Sequence, residues 1–470
     1  MTVYTPETAL TDLGPDFSDP VEPANFPKTI LRYRNDRAAE TIGLAQLNDE
    51  DWLRHFGRFK PLPDNMPEPR AIRYHGHQFR SYNPQIGDGR GFLFAQLRAE
   101  DGRLLDLGTK GSGQTPYSRS GDGRLTLKGG VREILATEML EASGVPTSKT
   151  FSLIETGEEL ARNDEPSPTR SSVMVRLQHS HVRFGAFQRL AFLDEAENMA
   201  TLIDHVRAVY HTDIPASAPA TLAPALLARI AERTANMVAS WMAAGFVHGV
   251  MNTDNMNVTG ETFDFGPYRF LPVSDPKFTA AYFDEYGLYA FGRQPATAIW
   301  NLQQLGGAFT LLADADDLTE ALKAFEPAYQ NALRDHCFFQ LGISASSLED
   351  DLRTLERLFT WMTESQVPWH QFFFDWYGGS ESAHRATKSP VADLYAQESF
   401  APVRADLMGR SSSPTAQLDH AYFARRTPET LLIDEIEHLW SAIADDDDWS
   451  LFHAKLDGIA QKRDAMILAQ

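Results

Sequence analysis

Residues 246–267 read FVHGVMNTDNMNVTGETFDFGP, and this stretch decides how the rest of the chain is read. It follows a helical pattern, ALLARIAERTANMVASWMAAG at 225–245. There Leu227, Ile230, Met237, Val238, Trp241 and Met242 form one apolar stripe and Gly245 supplies the stop. His248 and Asn255 stand at the spacing of the kinase loop H-R-D-L-x-x-x-N, and Asp264-Phe265-Gly266 comes nine residues later. In kinases that asparagine and the DFG aspartate hold metal against the nucleotide phosphates. An amide oxygen beside a carboxylate suits a hard cation such as Mg²⁺. One position departs from the pattern. Val250 stands where the catalytic aspartate belongs, and a valine can neither accept a proton nor orient a hydroxyl. Asp254 is the nearest replacement carboxylate. It could act as base, help set a metal, or simply cap its own loop backbone.

Working back along the chain, LGTKGSGQTPYSRSGDGRLTLKGGVREIL at 107–135 places Lys110 at a strand end and Glu133 on the next helix. A strand lysine paired with a helix glutamate is how kinase folds hold a lysine against phosphates. A surface lysine and an unrelated glutamate would give the same spacing, but the intervening loop is rich in glycine and arginine. PQIGDGRG at 84–91 and GDGR at 121–124 offer glycines whose N–H groups can face phosphate oxygens, with Arg90 as a cation. GDG is also an ordinary hairpin turn. VMVRLQHSHVRFG at 173–185 adds Arg176 and Arg183, bidentate donors suited to phosphate or to surface ion pairs.

The first half otherwise reads as strands. FLFAQL at 92–97 and RLLDLGTK at 103–110 predict two strands joined at Glu100-Asp101-Gly102, and SSVMVRL at 171–177 predicts another. VREILATEMLEASG at 131–144 predicts a helix closed by Gly144. Residues 1 to about 25 read as loosely held, and the Pro-punctuated 59–71 as a connector. Beyond 190 helices dominate, and DDDDW at 445–449 reads as a solvated loop. The expected class is α+β: a protein-kinase-like two-lobed fold, with a strand-rich N-lobe and a helical C-lobe with extensions. The expected divisions are 1–70 as extension and connector, 71–190 as N-lobe and 191–470 as C-lobe.

Composition narrows the function classes. The chain has 470 residues, 43% of them hydrophobic, which supports a substantial core. A net charge of −21 argues against nucleic acid as partner, since phosphate backbones need a basic surface. Cys337 stands alone in an apolar run, so it reads as a buried small hydrophobe. The N-terminus resembles neither a secretory signal nor a mitochondrial presequence, and no run approaches the length of a membrane span. A cytoplasmic protein without a membrane partner is expected.

Taken together, these motifs resemble the selenoprotein O family of protein adenylyltransferases. The matching text is YHGHQF at 74–79, PQIGDGRG at 84–91, KGSGQTPYSRSGDGR at 110–124, HVRFG at 181–185, HGVMNTDN at 248–255, DFGP at 264–267 and RQPATAIWNLQQL at 293–305. The resemblance spans roughly 70–305. It implies a pseudokinase-like fold, a nucleotide bound in reversed orientation, and AMP transfer from ATP to Ser, Thr or Tyr of target proteins. Carried over by position, it makes Gly87, Gly89, Arg90, Lys110, Asp122, Gly123, Arg176 and Arg183 nucleotide contacts. Asp254 becomes the general base, Asn255 and Asp264 the ligands of Mg²⁺ (or Mn²⁺), and Glu133 the partner of Lys110. The tail, KRDAMILAQ, has no cysteine, so redox control through it is not expected, and AYFARR at 421–426 departs from the family pattern. Two other functions fit the same motifs: an atypical kinase transferring the γ-phosphoryl group, and a non-catalytic nucleotide-binding scaffold.

Overall fold

Runs such as LLDLGTK and SSVMVRL, apolar on both faces, belong at the centre of a covered sheet, and that is where they lie. A computed structural model of the chain describes residues 2–163 and 165–466. Strands β1 (Pro6–Glu7), β2 (Ser18–Pro20), β3 (Ile30–Arg34) and β4 (Arg70–Ile72) come first, and β5 (Gly76–Gln78) and β6 (Ser81–Asn83) form a separate hairpin. Then follow β7 (Leu93–Arg98), β8 (Leu104–Lys110), β9 (Leu125–Thr126), β10 (Lys149–Leu160) and β11 (Thr169–Gln178). The large sheet is antiparallel and runs β2-β4-β7-β8-β11-β10-β3, with β1 on β7 and β9 on β11. The β7–β8 turn falls as predicted, with Gly102 at φ +81° and its N–H on Ala99 O.

The helices α1 (Asp36–Glu40) and α2 (Asp49–Phe56) cover one face of the sheet through Trp52, Phe56 and Phe151. The other face receives α3 (Leu127–Ala142), whose Val131, Ile134 and Leu135 enter the main core. That core continues through α4 (Phe184–Phe192), α5 (Ala196–Tyr210) and α6 (Pro219–Ala244). α6 starts on a proline and ends at Gly245 in the left-handed region, φ +63°. A Cβ at Gly245 would also strike the Trp369 ring at 2.6 Å, so this stop is specific to glycine. The remainder is helical, and Cys337 is buried there with its thiol raised by burial. Among the described residues no helix is long and apolar enough to cross a membrane.

Three expectations need correction. The first 25 residues are not loose: β1 and β2 join the sheet, and Leu10 and Phe17 are buried in the main core. Their strands are too short to show a period. The loop at 84–91 is not a hairpin turn, because β6 pairs only with β5 while β7 belongs to the large sheet. The acid run at 445–449 is not merely solvated, since Asp447 bridges Arg32 and Arg170 of the sheet. Residues 467–470 of the tail lie outside the described residues.

Candidate active site

The loop that follows α6 is tied at its neck. Strand β12 (Phe246–Val247) pairs with β13 (Arg269–Phe270), so residues 248–268 leave and return at one point. Within it His248 is buried, and its ring nitrogen Nε2 lies 3.1 Å from Phe263 O. Thr253–Asn255 form a single 3₁₀ turn carrying Asp254. The loop is stitched to the start of α4, where Phe184 N donates to Met256 O and Val258 N to Val182 O.

Arg183 lies between those stitches and joins both ends of the loop. Its Nη1 donates to Asp254 O at 2.7 Å and to Asp264 Oδ2 at 2.9 Å. Its guanidinium stacks between the rings of Tyr74 and Phe263, 4.9 and 4.7 Å from their centroids. Burial would lower its pKa, yet Tyr74, Asp264 and Asp88 keep it raised. Asp264 also accepts Lys110 Nζ at 2.9 Å and Arg176 Nη2 at 3.1 Å. Burial pushes its carboxyl up, but Lys110, Arg176 and Arg183 outweigh this and hold it well below the usual carboxylate range. Its backbone stands at φ +62°, a conformation uncommon outside glycine. Behind it, Lys110 and Glu133 form a buried ion pair between β8 and α3.

Two Gly-rich loops form the opposite wall. Thr115 Oγ1 donates to Asp88 O and Ser118 Oγ to Gly89 O, so the loops hold each other. A Cβ on Gly87 would meet the Tyr117 ring at 2.5 Å, and Gly123 sits at φ +69° with its carbonyl on Gly113 N. Gly87 is thus required by the close approach of a ring and Gly123 by that of a neighbouring backbone. Between the walls is a cavity of about 800 Å³. Gly87, Gly89, Arg90, Lys110, Asp122, Gly123, Arg176, Arg183, Asp254, Asn255 and Asp264 all line it, and Glu133 lies one side chain behind.

The lining is cationic in an acidic chain. Arg90, Lys110, Arg119, Arg124, Arg162, Arg176 and Arg183 face four carboxylates, Asp88, Asp122, Asp254 and Asp264. Two lining residues carry buried atoms without a partner. Arg176 is 4% exposed, and its Nε and Nη1 have none. Asp254 Oδ1 has none either, and burial pushes its carboxyl up to about 6 despite Arg183. Unpaired buried donors and acceptors are costly, and a ligand that pairs them removes the cost.

Asp122 is placed differently from the rest. It is about half exposed at the mouth, bound to Arg162 at 2.8 Å. Sequence reasoning missed Arg162, because nothing in ARNDEPSPTR signals a return to a loop forty residues earlier. It also missed Asp88, which accepts Ile72 N at 3.0 Å and lies 3.7 Å from Arg183. The position of Asp88 between two glycines was the available signal.

Asn255 and Asp264 carry oxygens of the kind a hard cation takes, and both Asp264 oxygens already accept Lys110, Arg176 and Arg183. Asn255 Nδ2 donates to Val250 O at 2.9 Å, which leaves Oδ1 as the end for a ligand. Among the described residues no group of three or more His, Cys, Asp or Glu side chains is arranged around a metal position. A cation here would therefore rely on phosphate oxygens and water for its remaining ligands, which is usual for Mg²⁺.

The family profile described as Protein adenylyltransferase SelO matches residues 2–460. The chain belongs to this family. The match runs well beyond the 70–305 region in which the motifs were read. Curated relatives agree with it. The protein nucleotidyltransferase YdiU of Synechocystis sp. is 43% identical, over 96% of this chain and 96% of its own. The protein of the same description from Trichodesmium erythraeum is 42% identical over 96% and 98%. That from Pseudomonas putida is 39% identical over 77% and 73%.

Proposed function

We propose that this protein transfers AMP from ATP to Ser, Thr or Tyr hydroxyls of other proteins and releases diphosphate. One observation carries the reading. The carboxylate of the catalytic loop sits at Asp254, buried with a free oxygen, while Val250 occupies the kinase position. The base thus stands beside the Lys110, Arg176 and Arg183 cluster in a family described as adenylyltransferases. In the transfer, the acceptor oxygen attacks the α-phosphorus, the bond from that phosphorus to the β-phosphate oxygen breaks, and Asp254 takes the hydroxyl proton. Arg176 offers its unpartnered Nε and Nη1 as charged donors to phosphate oxygens, while its Nη2 stays on Asp264. Lys110, fixed by Glu133, adds a point charge, and the Gly87–Gly89 and Gly123 backbones admit the nucleotide closely.

Asn255 and Asp264 would hold Mg²⁺ or Mn²⁺. Such a cation, when bound, neutralises charge on the departing diphosphate. The protein alone supplies little excess charge there, since Glu133, Asp264 and Asp88 already face Lys110, Arg176 and Arg183. This is the physical reason to expect a metal. The strand lysine, helix glutamate and post-helix loop favour a kinase-like two-lobed arrangement, with lobes at 71–190 and 191–470 after an extension at 1–70. A nucleotide reversed relative to kinases would place the α-phosphorus near Asp254. Replacing Asp254 with Ala tests the reading: ATP binding by calorimetry is expected to persist while AMP transfer is lost. Transfer at the original rate would remove Asp254 as base.

A further inference from the structure

Ten large hydrophobic side chains stand exposed among the described residues; three of them, Phe79, Tyr282 and Phe283, form one ledge, and Tyr286 lies in the same short segment as Tyr282 and Phe283. Tyr282 and Tyr286 are 83% and 89% exposed. Phe283 meets Tyr282 and Phe79 with ring centroids 5.1 and 5.8 Å apart, and Phe79 packs on Tyr289 at 4.9 Å. A contiguous exposed aromatic cluster is the usual mark of a docking surface, unlike scattered apolar residues.

Hydrogen bonds shape the ledge. Asp284 turns its segment by accepting Leu288 N and Tyr289 N, each at 2.8 Å. Phe79 and Arg80 form the two-residue turn of the β5–β6 hairpin at φ +48° and +64°. Such turns call for Asn-Gly, and bulky residues there store strain. The sequence thus holds an aromatic ring at a tip where the backbone disfavours it. Strain of this kind is retained where it serves a site.

The ledge is continuous with the acceptor side of the cavity. Asn252, two residues before Asp254, lines the cavity. Its Oδ1 accepts Phe79 N at 3.1 Å and Tyr289 Oη at 2.8 Å. Two donors on one oxygen fix the amide, so its NH₂ is the end left toward a ligand. The cations and Gly-rich loops occupy the other walls, where phosphates belong.

We propose that this ledge docks the protein substrate, taking an extended segment with an aromatic or large aliphatic residue beside the acceptor hydroxyl, and that Asn252 Nδ2 donates to the segment's backbone. The proposal rests on the reading that the chain modifies proteins. It specifies an apolar flank, because the ledge presents rings rather than a charge of one sign.

The test uses the full-length protein and a positional-scanning array of Ser-, Thr- and Tyr-centred peptides. The array is probed with α-labelled ATP for transfer and with fluorescently labelled protein plus ATP for binding. The parent should prefer apolar flanks by about fivefold or more. Combined Y282A, F283A and Y286A should remove that preference and leave ATP affinity unchanged. Phe79→Asn should do the same while leaving thermal stability equal or higher, since asparagine tolerates the turn; a purely structural role would not separate the two readouts. No flank preference in the parent, or one that survives both variants, overturns the proposal. If no peptide takes the α label but binding still prefers apolar flanks and loses this in the variants, AMP transfer fails and the ledge stands. If sedimentation shows that the variants instead dissociate a dimer, the ledge is an interface between copies and the proposal falls.

Discussion

Arg176 shows how much a single side chain carries here. It is buried, gives one nitrogen to Asp264 and leaves two without partners. Arg176→Lys keeps the charge but loses the two unpartnered guanidinium donors, so ATP affinity should fall by about 10- to 100-fold in a calorimetric titration. Unchanged affinity would show that the guanidinium does not meet phosphate. At this scale the sequence was informative where identity alone restricts chemistry. Val250 in place of an aspartate, the His248–Asn255 spacing and the DFG aspartate could all be read from the chain. Partners distant in sequence could not. That Arg183 would join Asp254 to Asp264, or that Asp88 would face Arg183, depends on how α4 meets the loop.

At the scale of elements, α3 decides whether Lys110 is held. Its N-terminal half carries Glu133, and its C-terminal half is tied down by ions. Glu141 binds Lys149 Nζ and Arg37 Nη1, at 2.7 and 2.8 Å. Arg463 of the C-terminal helix Ser450–Met466 binds Glu138 at 2.7 Å, and Lys462 Nζ donates to Ser143 Oγ at 2.9 Å. Burial raises the Glu141 carboxyl, but Lys149 and Arg37 outweigh it and bring it to about 2, from an ordinary 4.5. A lowered folded-state value means stability present above the ordinary value and lost as pH falls from there toward 2. Glu141 therefore contributes up to about 3 kcal/mol at neutral pH. Thermal melts of Glu141→Gln and parent should differ clearly at pH 7, draw closer as pH falls below the ordinary value, and converge only near pH 2 or below; equal curves at pH 7 would contradict this. Glu133→Gln removes one partner of a buried pair, and about 3–5 kcal/mol of stability should go with it, along with ATP affinity. Strands β7, β8 and β11 were legible as apolar runs bounded by turn residues, and helices α3 and α6 because each is long enough to show its pattern. The β5–β6 hairpin was not, because its turn is Phe-Arg where the usual signal is Asn-Gly.

For the molecule as a whole, the N-terminal segment is part of the sheet rather than an appendage. Deleting residues 2–20 removes β1, β2 and the buried Leu10 and Phe17, which should cost roughly 3–6 kcal/mol and lower the melting temperature in calorimetry. An unchanged melt would restore the reading of a loose terminus. A net charge of −21 concealed a cavity lined by seven cations, because overall charge says nothing about where the arginines gather. The central claim is that this cavity directs the α-phosphorus, not the γ-phosphorus, toward a protein hydroxyl. One measurement tests it most directly: incubation with a mixture of proteins, Mg²⁺ and ATP labelled on either the α- or the γ-phosphate. Covalent label on protein from α-labelled ATP, with none from γ-labelled ATP, is the predicted result. Label from the γ-phosphate alone would make the protein a kinase, and label from neither would leave a nucleotide-binding scaffold.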